Sequence, residues 1–381
     1  MVTRHLAPGR LLKILPLIGR KGIWTEIVQL LNSRVLPIGL AKRMEKNPCP
    51  PDPFEMATAY WLSPAIYVTA KLGIADLLRN GPRSCVALAD SAGSDAPSLF
   101  RLMRALSSVG IFSHLGRGRF ALSRLAERLQ TDAHGSLRAM LITIGETHYQ
   151  ACGNLLQSVQ TGSPAFDTVF GAGPFDYLQQ NVDAADAFNH AMTNVSSILA
   201  YAILMAYDFA DVSSIVDIGG GQGKVLEKIV QFTPEITGAV FDTALTIERA
   251  TQGLGNDARS MRCSYVIGDF FTSAPQGADA YLLCGVIHEW DDRRAIRILK
   301  NCRRAMAGKG RVLIVDIVLP DTDAVSFSKL LDLNLQGMTG GQERTRAEFG
   351  ALLDAAGYKV KRIIPTMVPQ SIIEAVPKYL E

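Results

Sequence analysis

The stretch Val216-Asp-Ile-Gly-Gly-Gly-Gln-Gly223 decides how this chain is read. Ser214–Ile218 is a short β-rich run, and Lys224–Gln231 repeats apolar residues every three to four positions. The glycines therefore sit between a strand and a helix. Glycine there permits a tight turn and lets a ligand approach the backbone beside a helix N-terminus. Asp242 ends the next strand, 19 residues after Gly223, where a carboxylate can accept both hydroxyls of a ribose. These features predict an adenosyl cofactor. The spacing excludes a dinucleotide motif: GxGxxG starting at Gly219 needs glycine at 224, where the chain has Lys224. Neither GxGxxG nor GxxxxGK[ST] occurs anywhere in the chain.

Downstream, Gly238–Phe241, Ser264–Ile267, Ala280–Leu283 and Arg311–Val315 are further candidate strands, and Ala295–Met306 is a second amphipathic helix. Strands alternating with helices predict an α/β fold with a parallel, doubly wound sheet. Upstream, Phe54 to about Leu129 is mainly helical. Ser94 and Asp95 cap a helix with Pro97 in its first turn, and Leu99, Leu102, Met103 and Leu106 recur at helix spacing. Val109–His114 and Arg119–Leu122 then read as two strands around Gly116-Arg-Gly118. Helix, helix, hairpin is the winged-helix order, whose familiar use is reading DNA. Here the helix carries only Arg101 and Arg104, an ordinary solvated face, which favours a dimerisation or lid role.

Length and charge narrow the classes further. The 381 residues suffice for two domains, and 48% hydrophobic with 20% charged residues is globular composition. A net charge of +3 does not suggest a nucleic-acid binder. Residues 1–46 hold nine Lys/Arg against two Asp/Glu, so residues 47–381 carry −4. This arm is also apolar, which suits packing on the body, pairing with a second subunit, or peripheral contact with a membrane surface. Asn47–Pro53 reads as a linker. Ala187–Tyr207 lacks charges but carries Asn189, His190, Asn194, Ser196 and Ser197, which argues against a spanning helix. The six cysteines form no CxxC pair, a pattern that predicts free thiols in a reducing cytoplasm and no metal site.

Further motifs follow in order: Val159-Gln-Thr-Gly-Ser-Pro-Ala-Phe166, Phe188-Asn-His-Ala-Met192, Gly268-Asp-Phe-Phe271, Val286-Ile-His-Glu-Trp-Asp-Asp292, Val312-Leu-Ile-Val-Asp-Ile-Val-Leu-Pro320 and Gly340-Gly-Gln-Glu-Arg-Thr345. With the GGGxG turn, this series resembles the S-adenosylmethionine-dependent small-molecule O-methyltransferases of plants and antibiotic-producing bacteria, over roughly residues 54–376. The resemblance implies a Rossmann-like class I methyltransferase domain behind a winged-helix-like, mainly helical dimerisation domain. The expected division is an arm and linker (1–53), a dimerisation domain (54–135), a helical connector contributing to the acceptor pocket (136–212) and the catalytic domain (213–381).

The same resemblance implies His288 as general base, with Asp316 and Glu343 as the carboxylates that orient its ring. A phenol has a pKa near 10, so a base is needed at neutral pH, and imidazole is a suitable one. Asp217, Gly219, Gly221, Asp242, Asp269, Phe270, Cys284 and Trp290 are the expected cofactor residues. Asp269 would receive the adenine amino group, Phe270 pack on the ring and Trp290 cover it. Met192 and Asn334 are expected at an aromatic acceptor, and a homodimer is implied. Cys284 stands where many relatives carry Lys or Arg, Glu289 follows the histidine in place of Asp, and Ala244 replaces a proline. Asp316 is one methylene shorter than the more frequent Glu. The favoured function is methyl transfer to a phenolic or polyketide-like hydroxyl. The alternatives are methylation at carbon or nitrogen, or a non-methylating hydroxylation, decarboxylation or cyclisation on the same scaffold.

Overall fold

The computed structural model describes residues 52–133, 135–252, 262–306, 310–323 and 326–378. The basic arm, with its expected roles in pairing and membrane contact, lies outside them. The chain forms two compact units, one ending at Val195 and the next beginning at Ser196. That division falls inside the segment expected to be a connector.

The first unit contains α1 (Leu62–Lys71), β1 (Arg83–Ser84), α2 (Cys85–Ala92), α3 (Ala96–Ser108), β2 (Phe112–His114) and β3 (Arg119–Leu122). Asp95 caps α3 by accepting from the Ser98 amide at 2.9 Å, which satisfies one orphan donor of the first turn. Leu99, Met103 and Leu106 are then buried on one face against Leu88, Phe112 and Phe120. The three strands pair in the order β1-β3-β2, which completes the winged-helix arrangement. A long helix, α4 (Val182–Ala206), runs from this unit into the next.

The second unit is built on β4 (Ser214–Ile218), α5 (Lys224–Phe232), β5 (Thr237–Asp242), α6 (Ala244–Gln252), β6 (Cys263–Ile267), β7 (Ala280–Cys284), α7 (Asp292–Ala305) and β8 (Arg311–Leu319). It continues through α8 (Phe327–Met338), β9 (Arg344–Thr345), α9 (Arg346–Ala355), β10 (Tyr358–Pro365) and β11 (Gln370–Pro377). The sheet order is β10-β11-β8-β7-β4-β5-β6, with β9 paired to β8. β4 to β8 are parallel, whereas β11 runs antiparallel to β8 and β10 antiparallel to β11.

Both sheet faces are covered. Leu283, Val312 and Ile314 pack with Ile298 of α7 and Leu352 of α9, while Leu282, Leu313 and Val315 pack with Ile203 of α4 and Ile229 of α5. This explains why Ala280-Tyr-Leu-Leu reads as one continuous apolar run. The chain leaves β4 through β5 and β6 on one side and returns to β7 on the other. The crevice at the C-terminal ends of β4 and β7 is thus the topological switch point, where open α/β sheets bind their ligands.

The edge differs from expectation. β8 runs on past the Arg311–Val315 run to Leu319: β11 pairs with it from Val312 to Ile317, and β9 takes Val318 and Leu319. On β11, Glu374 is 0% exposed and lies among three cations: Lys361 at 3.0 Å, Arg311 at 3.5 Å and Arg362. Burial alone would raise its pKa, but Arg362 and Lys361 hold it below the ordinary value.

Candidate active site

The turn after β4 is built on left-handed backbone at Gly219 (φ 67°), Gly221 (φ 58°) and Gly223 (φ 73°), a region L side chains avoid. A Cβ at Gly221 would meet nothing within 4 Å, so the turn is concave and open there. Asp242, at the end of β5, accepts from the Gly221 amide at 2.9 Å and from the Thr243 amide at 2.7 Å. Beneath the turn, Asp217 is 1% exposed, and neither carboxylate oxygen has a hydrogen-bond partner. Burial and the Asp242 charge push its pKa up to about 8. An open glycine cradle bordered by two carboxylates, one buried and unsatisfied, fits a ligand carrying ribose hydroxyls and positive charge.

Cys284 ends β7 beside Val315 of β8, and burial together with the Asp217 and Asp316 charges pushes its thiol well up. The carboxylate of Asp269 caps its own turn, accepting from the Phe271 amide and the Thr272 hydroxyl, each at 2.8 Å. Its remaining lone pairs stay available to a ligand donor. Phe270, Phe271 and Trp290 form an edge-to-face aromatic group: Trp290 lies 6.1 Å from Phe270 and 4.8 Å from Phe271, and the Arg294 guanidinium lies 5.7 Å from its centroid.

His288 sits on a single turn, Ile287–Glu289, just beyond β7. Its Nδ1 lies 3.0 Å from Glu343 Oε1, and its Nε2 3.5 Å from Glu289 Oε1. Burial disfavours the imidazolium, but the charges of Asp316, Glu343 and Glu289 and the hydrogen bond to Glu343 overcome it, raising the pKa to about 10. Asp316 is 1% exposed and acts on the ring by charge alone, since neither of its oxygens has a hydrogen-bond partner. Its short side chain hangs from a strand whose position is fixed by β7 and β11. Burial lifts its pKa to about 6 against the opposing pull of His288.

The structure thus gathers the expected residues of β4, β5, β7 and β8 at one end of the sheet, with Glu343 delivered from the turn before β9. Asn334 lies on α8, and Met192 on the part of α4 that belongs to the other unit. Two participants were missed from sequence. Glu289 faces the second ring nitrogen, and Arg344 is 1% exposed behind the His288 turn. The signal for Arg344 was its place beside Glu343 in the GGQERT segment.

Fold and site together define a class I S-adenosylmethionine-dependent methyltransferase. More specifically, the chain belongs to the O-methyltransferase family: the O-methyltransferase domain matches residues 153–359 and the O-methyltransferase dimerisation domain residues 54–132. It is similar to the phenazine O-methyltransferase PhzM of Lysobacter antibioticus, 40% identical over 323 residues, which cover 85% of this chain and 95% of that protein. The phenazine-1-carboxylate N-methyltransferase of Pseudomonas aeruginosa is 33% identical over 84% of this chain and 95% of its own length. Among solved structures, NcsB1, an O-methyltransferase from neocarzinostatin biosynthesis in complex with S-adenosylmethionine and 2-hydroxy-5-methyl naphthoic acid, superposes with a TM-score of 0.74. It is 30% identical, and the match covers 83% of this chain and 96% of that one. No helix among the described residues is long and apolar enough to cross a membrane.

Proposed function

We propose that the protein methylates a hydroxyl of a small aromatic natural product, with His288 as the general base, and that it works as a homodimer. The single observation that carries the reading is the His288–Glu343 pair at 3.0 Å, beside the switch-point crevice. The names of two relatives support an aromatic, phenazine- or naphthoate-like acceptor, and the dimerisation domain supports pairing.

S-adenosylmethionine supplies a methyl group on a positively charged sulfur, open to in-line attack. Asp217, Gly219, Gly221, Asp242, Asp269, Phe270, Cys284 and Trp290 would hold it, and Met192 and Asn334 would line the acceptor. His288 takes the acceptor proton at Nε2 while Glu343 holds Nδ1–H, fixing the tautomer and stabilising the cation that forms. Asp316 adds charge stabilisation.

A ring with a pKa of about 10 is protonated at neutral pH and must first lose that proton. The pKa falls when positive charge enters the site.

Nitrogen methylation is a second reading, favoured by the N-methyltransferase relative. Labelled methyl donor offered with hydroxyphenazines, hydroxynaphthoates and their amino analogues tests both. Product mass and the labelled atom decide between oxygen and nitrogen. A product without added methyl would overturn the reading.

A further inference from the structure

The Arg344 guanidinium is almost fully buried yet touches neither His288 nor Glu343 by hydrogen bond. Its Nη1 donates to the carbonyls of Ile287 at 3.2 Å and Gln342 at 3.4 Å. Its Nη2 donates to the Trp290 carbonyl at 2.9 Å and to Asp292 Oδ1 at 2.8 Å, and Nε reaches the same Asp292 oxygen at 3.0 Å. Arg344 therefore grips the backbone on both sides of His288 and ties it to the start of α7. The neighbouring contacts follow the same line: the Gln342 amide donates to the His288 carbonyl at 2.8 Å, and a Cβ at Gly341 would collide with that carbonyl. β9 in turn anchors Arg344 to β8, opposite Val318.

From this geometry we infer that Arg344 is a positioning residue, which registers the Gly341–Thr345 segment against the Ile287–Trp290 turn and so sets the His288–Glu343 hydrogen bond. The inference rests on the reading of His288 as the base. Arginine suits the task because its planar fork serves several carbonyls at once, whereas a lysine ammonium is a point charge that cannot span Ile287 and Trp290 together. Alternation along the segment sends Glu343 to the ring and Arg344 to the backbone behind it.

Histidine-ring NMR titration of the full chain tests this without any acceptor, since only six histidines are present and His288→Gln assigns the signal. Arg344→Lys keeps the charge and loses the fork. The ring of His288 then titrates about one pH unit lower, because Glu343 no longer holds Nδ1, while S-adenosylmethionine binds within about threefold of wild type. Arg344→Gln separates charge from geometry: removing a nearby cation would raise the imidazolium pKa, whereas slippage of Glu343 lowers it. Asp292→Ala, at a side chain 64% exposed, frees one edge of the fork and gives a smaller fall if the Arg344 variants do not fold. An unmoved or raised titration in the folded variants overturns the inference. Failure of the base reading looks different: His288→Gln would transfer labelled methyl to a hydroxyphenazine at the wild-type rate, whatever the titrations show.

Discussion

Two groups of buried carboxylates on one sheet behave in opposite ways. Glu374, at the antiparallel edge, is surrounded by Lys361, Arg362 and Arg311, and its pKa is held low. Asp217, near the end of β4, and Asp316, on β8 one residue beyond the level where β7 ends, are as deeply buried, have no hydrogen-bond partner, and have their pKa values raised. A carboxylate satisfied from every side serves the fold. Two left unsatisfied at the switch point weaken the ligand-free fold, and their destabilisation makes sense if a ligand supplies the missing partners.

The largest effect should come from breaking the satisfied group. Glu374→Ala leaves Lys361 and Arg362 without their carboxylate, while Arg311 keeps its pair with Asp211 at 2.8 Å, and should cost about 2–4 kcal/mol, below the limit for fully buried pairs because Lys361 and Arg362 are each 49% exposed. Denaturant unfolding reads that loss, with methyl transfer per folded molecule unchanged. Asp217→Asn should do the reverse. It weakens S-adenosylmethionine binding about tenfold or more in calorimetric titration, yet raises the melting temperature of the ligand-free protein. The two sites also differ in the sign of their pH dependence. Asp217 has a raised pKa, so its neutral form suits the fold and stability is lost as pH rises from about 4 to 8. The advantage of Asp217→Asn should therefore grow across that window. Glu374 has a lowered pKa, so its contribution is present above the ordinary carboxylate range and lost as pH falls through it. Melting curves at several pH values would equate the two regions if both variants responded alike.

A smaller effect concerns the base. Glu343→Gln removes the charge that supports the imidazolium, so the acid limb of the pH–rate profile should move down by about one unit while the maximal rate falls roughly tenfold. An unmoved limb would separate Glu343 from the titrating group.

The same contrast explains what the sequence made legible. The parallel strands were readable because continuous apolar runs and a glycine turn are local signals, and β4 and the start of β8 fall where those runs place them. The positions of Asp242 at the end of β5 and of His288 just past β7 were readable because both follow apolar strand runs, whereas the role proposed for His288 came from the family resemblance. The β10–β11 edge was not, since Ser371-Ile-Ile-Glu-Ala-Val376 carries a glutamate whose burial depends on cations from two other elements. Arg344 escaped for a similar reason. Its partners include the carbonyls of Ile287 and Trp290 and the carboxylate of Asp292, all more than fifty residues away, and no spacing rule reports those. The engagement of Asp269 with its own turn depends on local hydrogen bonds that the motif alone does not specify.

The most direct test of the central claim compares wild type with His288→Ala, measuring labelled methyl transfer to a hydroxylated aromatic acceptor alongside S-adenosylmethionine binding. We expect transfer to fall by about 10²–10⁴-fold while cofactor affinity stays within about threefold. Wild-type transfer rates in the alanine variant, with binding intact, would contradict the assignment of His288 as the base.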